Sequence, residues 1–141
     1  MIHLPTAAGG RVEHLVRTGT IAPRGTALVR VHPPQGPPEI IASPIDGLVA
    51  IQRLRGANAP QYARIVGLRR VVLATARGRV RWIATLGPIG VTSMIALVDT
   101  GEDIRPHRAG GLGFVGERFV NVGQTVELGH PLIEIRGEEL F

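Results

Sequence analysis

The stretch of sequence that decides the fold is FVNVGQTVELGHPLIEI, residues 119–135. Apolar residues alternate there around Gly123 and Gly129, and glycine is the residue that most readily adopts the positive φ of a tight turn corner. The period of two over residues 132–135 indicates a half-buried strand. The stretch therefore predicts a strand, a tight turn, a short strand, a second turn and a final strand.

Two other regions of the chain repeat parts of this pattern or of each other. Gly19 and Gly25 have the same spacing as the two glycines above, and an apolar strand pattern follows them as well. Farther apart, AGGRVEHL at residues 8–15 matches ARGRVRWI at residues 76–83. Internal repetition of this kind dictates the architecture of a chain.

The repeats predict an all-β protein with two tandem pseudo-repeats, residues 8–68 and 76–136. The 19 glycines and 11 prolines support this prediction, because they interrupt helices and favour short strands joined by tight turns. Each repeat is shorter than the roughly 70–80 residues that an independently stable core needs. We therefore expect the repeats to bury apolar surface against each other and to form one compact domain.

The order of the motifs resembles that of the biotinyl/lipoyl carrier domains. G-x-V-x-x-[LI]-x-x-x-G occurs at residues 10–19 and 78–87, SP-x-DG-x-V at residues 43–49, and V-G-Q-x-V-x-x-G-x-P-L-x-x-I at residues 122–135. The resemblance covers most of the chain. It implies a barrel-sandwich hybrid, a flattened barrel of short strands whose acceptor lysine for biotin or lipoate lies on a hairpin midway through the domain.

The chain cannot carry either cofactor, because it has 16 arginines and no lysine. The carrier hairpin of the first repeat would fall at residues 32–39, HPPQGPPE, where four prolines favour a stiff polyproline-like loop over a paired hairpin. In the second repeat it would fall at residues 98–104, an acidic turn. Arginine cannot be acylated instead, since its guanidinium stays protonated. We therefore expect no cofactor.

The resemblance then implies a non-catalytic docking or assembly module, with a carboxylase or acyltransferase complex as the partner. Two surfaces are candidates for the contact with a partner protein, the proline loop and the arginine face. The proline loop consists of Pro33, Pro34, Pro37 and Pro38, and the arginine face consists of Arg77, Arg79 and Arg81. The arginines alternate with Gly78, Val80 and Trp82, so we expect the guanidinium groups on one side of a strand and the apolar residues on the other.

The charge distribution offers an alternative function. Residues 1–98 hold 12 arginines against 3 acids, whereas residues 99–141 hold 4 arginines against 8 acids. A basic body suits a nucleic acid or another anion, bound through the arginine face. Binders of single strands usually add exposed aromatic residues for stacking, and only Tyr62 and Trp82 are near. A base-composition bias of the gene explains the arginines equally well.

A second alternative is an enzyme. SP-x-DG-x-V and the glycine-rich segment at residues 111–118 resemble the phosphatidylserine decarboxylases, whose self-cleavage needs a serine near the C-terminus. Residues 111–118 contain neither Ser nor Thr, so the chain would be a degenerate relative without a pyruvoyl group. Ser43 and Ser93 are the only serines, and neither lies in a nucleophile elbow; the pattern around Ser93 predicts a buried strand. We expect no enzymatic activity.

Metal sites and membrane segments are not expected either. The five histidines have none of the short spacings of metal ligands, and there is no cysteine. An acidic turn at Asp99, Glu102 and Asp103 is more typical of a solvated loop than of a cation site. With neither a signal sequence nor a long apolar run, we expect a cytoplasmic protein. Unpaired edge strands would make a homo-oligomer easy to form.

Overall fold

The computed structural model describes residues 1–137. All regular elements in that range are β-strands, and the strands pair antiparallel, so the prediction of an all-β protein is confirmed. No helix of residues 1–137 is long and apolar enough to span a membrane. The chain divides into two compact units, Met1–Arg69 and Arg70–Phe141, here called unit 1 and unit 2. One predicted repeat falls within each.

Unit 1 consists of short strands in two sheets. Its strands are β1 (Ile2–Pro5), β2 (Gly10–His14), β3 (Ile21–Ala22), β4 (Ala27–His32), β5 (Glu39–Ala42), β6 (Gly47–Gln52), β7 (Asn58–Ala59) and the first part of β8 (Arg64–Leu73). One sheet has the order β5-β4-β2-β7. In the other, β6 lies between β3 and β8, and β1 pairs with the first part of β8.

Unit 2 has the same order of pairing. Its strands are the last part of β8, β9 (Gly78–Ile83), β10 (Pro88–Ile89), β11 (Met94–Asp99), β12 (Ile104–Arg108), β13 (Gly113–Arg118), β14 (Thr125–Val126) and β15 (Pro131–Arg136). One sheet has the order β12-β11-β9-β14. In the other, β13 lies between β10 and β15, and β15 pairs with the last part of β8.

Tight turns of one kind connect the short strands. In each of them the N–H of the fourth residue donates to the C=O of the first. They span residues 17–20, 23–26, 54–57 and 60–63 in unit 1 and residues 90–93, 121–124 and 127–130 in unit 2. Gly19, Gly25, Gly123 and Gly129 all have φ between 83° and 93°. The prediction that these glycines form positive-φ turn corners is therefore confirmed.

Six of these turns each exchange two hydrogen bonds with a single residue outside the turn, whereas the turn at residues 90–93 accepts one from Ala109 and one from Gly110. Val80 donates its N–H to the Gln124 carbonyl at 2.9 Å and accepts the Gly123 N–H at 2.7 Å. Val12 makes the equivalent pair of hydrogen bonds with the turn at residues 54–57. Both valines are fully buried. The backbone N–H and C=O groups of the turns thus find hydrogen-bond partners although the strands are short and the β-ladders are not long. Many turns can therefore lie within one packed domain.

Each unit has its own hydrophobic cluster. Leu28, Ile65 and Leu68 are fully buried in the cluster of unit 1, and Ile95 and Leu132 in that of unit 2. The described members of each cluster all come from one unit. The cores of the two units are therefore built separately from local sequence.

The stretch at residues 119–135 differs from its prediction in two respects. Residues 119–121 lie outside any strand, because β13 ends at Arg118. Residues 132–135 of the final strand are buried on both faces and not on one, since Glu134 is only 2% exposed. The Arg136 Nε donates to Glu134 Oε1 at 2.6 Å, and a Cβ at Gly116 would lie 2.4 Å from that oxygen. A glycine on the neighbouring strand therefore makes room for the buried carboxylate.

Candidate functional site

The proline loop is the exposed tip of a hairpin in unit 1. It connects β4 and β5, which pair as far as Val31 and Glu39. Pro34, Pro37 and Pro38 are exposed, and Gly36 has a φ of 92° that turns the chain. The expectation that a polyproline-like loop replaces a paired hairpin was wrong, because the prolines lie beyond the ladder, where no N–H is needed. The loop is thus presented on a rigid base.

Glu39 holds the base of this loop to the segment between β1 and β2. Its carboxylate accepts the Ala7 N–H at 2.9 Å, the Ala8 N–H at 3.2 Å and the Thr6 hydroxyl at 2.8 Å. Burial by itself raises the pKa of Glu39, but these hydrogen bonds outweigh burial, and the pKa lies below that of an ordinary Glu. The carboxylate is therefore charged at neutral pH and fixes the hairpin.

The arginine face lies on and beside β9 in unit 2. Arg77, Arg79 and Arg81 are all exposed, as the alternation predicted. Trp82, however, is 42% exposed, so the expectation that it lies with Val80 on the apolar side was wrong. The register between β9 and β11 shifts at this point, and such a bulge reverses the alternation of the residues that follow.

Each arginine of this face has a partner within unit 2. The Arg77 Nε lies 3.3 Å from a Glu127 carboxylate oxygen, and the Arg79 Nε donates to the Gly123 carbonyl at 3.1 Å. Arg81 donates twice to Asp99, at 3.0 Å and 2.8 Å. A hydrogen bond from the Gly101 N–H, reinforced by Arg81, lowers the pKa of Asp99. The face therefore carries mixed charge rather than three unpaired cations.

Two exposed apolar residues beside this face were not singled out from the sequence. Val122 and Leu128 are 61% and 73% exposed at the corners of the turns at residues 121–124 and 127–130. Arg79 bonds to the first turn and Arg77 to the second, through Gly123 and Glu127. The sequence places Val122 and Leu128 in an apolar alternation, which is the usual signal for burial. Only the turn geometry shows that their side chains face outward.

Metal-binding chemistry finds no support in the described residues. Within residues 1–137 no three His, Asp or Glu side chains are arranged to hold a metal ion. Asp99 is engaged with Arg81, and the Thr100 hydroxyl donates to Asp103 at 2.6 Å.

The buried His107 has a structural role. The Thr75 N–H donates to its Nε2 at 3.0 Å, so the proton lies on Nδ1, which faces the Arg105 carbonyl at 3.2 Å. Burial is the main cause that lowers the pKa of His107. The ring is therefore neutral and joins β12 to the segment after β8.

Neither serine has a nucleophile's surroundings. Ser43 is buried, and its hydroxyl donates to the Ile45 carbonyl at 2.6 Å. Ser93 ends the turn at residues 90–93 and accepts the Gly90 N–H at 2.8 Å. The prediction that Ser93 lies in a buried strand was wrong, because β11 begins one residue later. Both hydroxyls are occupied by turn hydrogen bonds.

Comparison of the chain with protein-family models, with curated proteins and with solved structures found no match.

Proposed function

We propose that this chain is a non-catalytic docking or assembly module whose two units have the barrel-sandwich hybrid fold of the biotinyl/lipoyl carriers. The observation that carries the proposal is at the hairpin tip of unit 1. Where a carrier domain would present its acceptor lysine, this chain presents the exposed proline loop. The hairpin is present, but its tip carries prolines in place of a lysine that could hold a cofactor. The function we infer is therefore binding of a partner protein and not transfer of a chemical group. Without cysteine, such a module suits the cytoplasm.

The strand order supports the hybrid fold. In unit 1 the strands of the second half repeat those of the first half at a constant spacing in sequence. Glu39–Ala42 is the counterpart of Ile2–Pro5, and Asn58–Ala59 is the counterpart of Ile21–Ala22. The two halves exchange strands, since β2 pairs with β7 and β3 pairs with β6. This exchange of short strands between the two halves supports a flattened barrel of short strands in unit 1.

The proline loop suits a protein partner. Proline residues lose little conformational freedom on binding, so an exposed proline segment contributes contact area at low entropic cost. Partners commonly read such segments with aromatic-lined grooves. Because Glu39 fixes the base of the hairpin, the loop would bind without reorganising β4 and β5. A carboxylase or acyltransferase subunit is the partner that the fold resemblance favours.

Binding of nucleic acid through the arginine face is less well supported. Phosphate contacts there would have to compete with Glu127, Asp99 and the Gly123 carbonyl for the same guanidinium groups. Such a complex would also weaken steeply with salt, because it depends on the release of counterions. The salt dependence of binding therefore distinguishes docking to a protein from binding of nucleic acid.

The test is affinity capture with the tagged 141-residue chain, at low and at high salt. We expect stoichiometric, salt-resistant recovery of a carboxylase or acyltransferase subunit. Replacing the four prolines of the loop by serine should abolish the recovery, whereas Glu102→Ser at the hairpin tip of unit 2 should not. Recovery of salt-labile nucleic acid alone would contradict the proposal, as would an internal chain break in the intact mass.

A further inference from the structure

The side-chain amide of Gln52 joins two exposed turns of unit 1. Its Oε1 accepts Arg55 Nη2 at 2.6 Å and the Thr18 hydroxyl at 3.3 Å. The Arg55 guanidinium and the Thr18 hydroxyl are thus held against the same oxygen atom. The turn at residues 17–20 therefore lies beside the turn at residues 54–57.

Three exposed arginines lie where these turns meet, and they are here called the arginine corner: Arg17, Arg53 and Arg55. Arg17 begins the first turn. Arg53 and Arg55 lie on either side of Leu54, whose φ of 58° turns the chain sharply. The hydrogen-bond partner of Arg55 is the neutral amide of Gln52, so its positive charge is not compensated.

The acids of unit 1 are bonded elsewhere. Unit 1 has 8 arginines against 3 acids. Glu13 is bonded to side chains of β4, and Glu39 to backbone N–H groups between β1 and β2. Asp46 accepts a backbone N–H of the turn at residues 23–26. Among residues 1–137 no carboxylate is therefore bonded to the arginine corner, which favours attraction of an anion.

The backbone does not require arginine at these positions. The turn at residues 121–124 of unit 2 makes the same two hydrogen bonds to Val80 that the turn at residues 54–57 makes to Val12. The equivalent positions of unit 2 hold Thr85, Val120 and Val122. The same fold thus forms without the three charges, which favours a role for them beyond folding.

We propose that the arginine corner binds a polyphosphate chain, either free or as the triphosphate of a nucleotide. Guanidinium groups form paired hydrogen bonds with phosphate oxygens. Three neighbouring cations suit several linked phosphates better than one phosphate group, which carries at most about two negative charges. Single-stranded nucleic acid fits less well, because neither turn contains an aromatic side chain on which a base can stack.

Isothermal titration calorimetry of the 141-residue chain with inorganic tripolyphosphate tests the proposal. Arg17→Gln, Arg53→Gln and Arg55→Gln should each raise the dissociation constant at least about fivefold, because each removes one cation that contacts phosphate. The triple variant should show no measurable binding.

Arg24→Gln is the matched control. Arg24 is exposed and is the second residue of the turn at residues 23–26, as Arg55 is of its own turn. The Arg24 N–H, however, donates to the Asp46 carboxylate at 2.8 Å. We expect Arg24→Gln to change the dissociation constant less than about twofold.

Adenosine triphosphate in place of tripolyphosphate distinguishes the two sources of the phosphates. Equal affinity would mean that only the phosphates are recognised, and tighter binding that the nucleoside contributes as well. Thermal denaturation checks that the variants remain folded. The Arg17 side chain makes no hydrogen bond within residues 1–137, so Arg17→Gln tests the proposal even if Arg55→Gln disturbs its turn.

Three results would overturn the inference: no binding of tripolyphosphate to the wild type at low salt, equal weakening by Arg24→Gln, or tighter binding of a single-stranded oligonucleotide through the same arginines. This inference does not rest on the proposed docking function, since it uses no residue of the proline loop. The two proposals therefore fail separately.

Discussion

Gly10 and Gly78 begin equivalent strands of the two units, and in both places the absent side chain allows a close approach of the backbone. A Cβ at Gly10 would lie 2.4 Å from the His32 carbonyl oxygen, and one at Gly78 would lie 2.4 Å from that of Asp99. These neighbours are backbone atoms within paired strands, so they cannot turn aside as a side chain would.

Gly10→Ala and Gly78→Ala should each lower the free energy of unfolding by about 1–3 kcal/mol, the usual cost of forcing extra volume into packed structure. Chemical denaturation measures it. Gly137→Ala is the control, because a Cβ there meets no atom of residues 1–137 within 4 Å. Unchanged denaturation midpoints for the first two variants would show that the paired strands separate at little cost.

The hydrogen-bonded carboxylate of Glu39 gives a pH-dependent contribution to stability. The pKa of Glu39 is lower in the folded chain than in the unfolded chain. The ionised carboxylate therefore contributes fully to the free energy of unfolding at a pH above its pKa in the unfolded chain. This contribution is lost as the pH falls through its lower pKa in the folded chain. At pH 7 we expect Glu39→Gln to cost about 1–2 kcal/mol, because the amide cannot accept the same set of N–H groups.

Denaturation of wild type and Glu39→Gln at a series of pH values measures this contribution. The difference between them should shrink below about pH 4.5, the ordinary value for Glu. Glu102→Gln, in an exposed turn, should show no such trend. A difference for Glu39→Gln that stays constant down to pH 3 would mean that the carboxylate does not hold the hairpin.

At the scale of the element, the bulge in β9 decides which residues of this strand enter the core. Val80 and Ile83 are buried, while Arg81 and Trp82 between them are exposed. A regular strand would have buried Val80 and Trp82 together. The register shift opposite β11 gives the strand two consecutive outward residues.

Substitutions in β9 distinguish the bulged from the regular strand. Val80→Ala should cost about 1–3 kcal/mol because it leaves a cavity in the core. Trp82→Gln should change the free energy of unfolding by less than about 0.5 kcal/mol, as surface substitutions do. Trp82 is the only tryptophan, so its fluorescence in the folded wild type should be readily quenched by iodide. A protected indole, or a large cost for Trp82→Gln, would contradict the bulge.

At the scale of the whole molecule, the division between Arg69 and Arg70 falls inside β8, yet the hydrophobic clusters do not share residues across it. From the short length of the repeats we expected that neither is stable unless the two bury apolar surface against each other. The buried members of each described cluster come from one unit, which allows each unit a core of its own.

A fragment of residues 1–69 should therefore fold alone, with lower stability than the full chain because a domain of this size is marginal. Dispersed amide resonances and a cooperative thermal transition would demonstrate folding. The matched comparison is a fragment of residues 1–52, which lacks β7 and β8 and should remain unfolded. If residues 1–69 are unfolded as well, the cores depend on each other.

Much of the fold could be predicted because glycine and alternation act locally. The spacing of Gly19 with Gly25 and of Gly123 with Gly129 predicted the turns, since a positive φ is a property of the residue itself. The exposure of Arg77, Arg79 and Arg81 was predicted from their alternation along the strand. The missing lysine, which excludes carriage of biotin or lipoate, is purely a fact of sequence.

Tertiary structure alone decided the outward positions of Trp82, Val122 and Leu128 and the burial of Glu134. Alternation cannot reveal these positions, because a bulge depends on the register with a partner strand and a turn corner depends on the strand to which the turn is bonded. The carboxylate of Glu134 is accommodated by Gly116, which lies on another strand. Sequence thus determined where the chain turns, whereas packing between strands determined which side chains face the solvent.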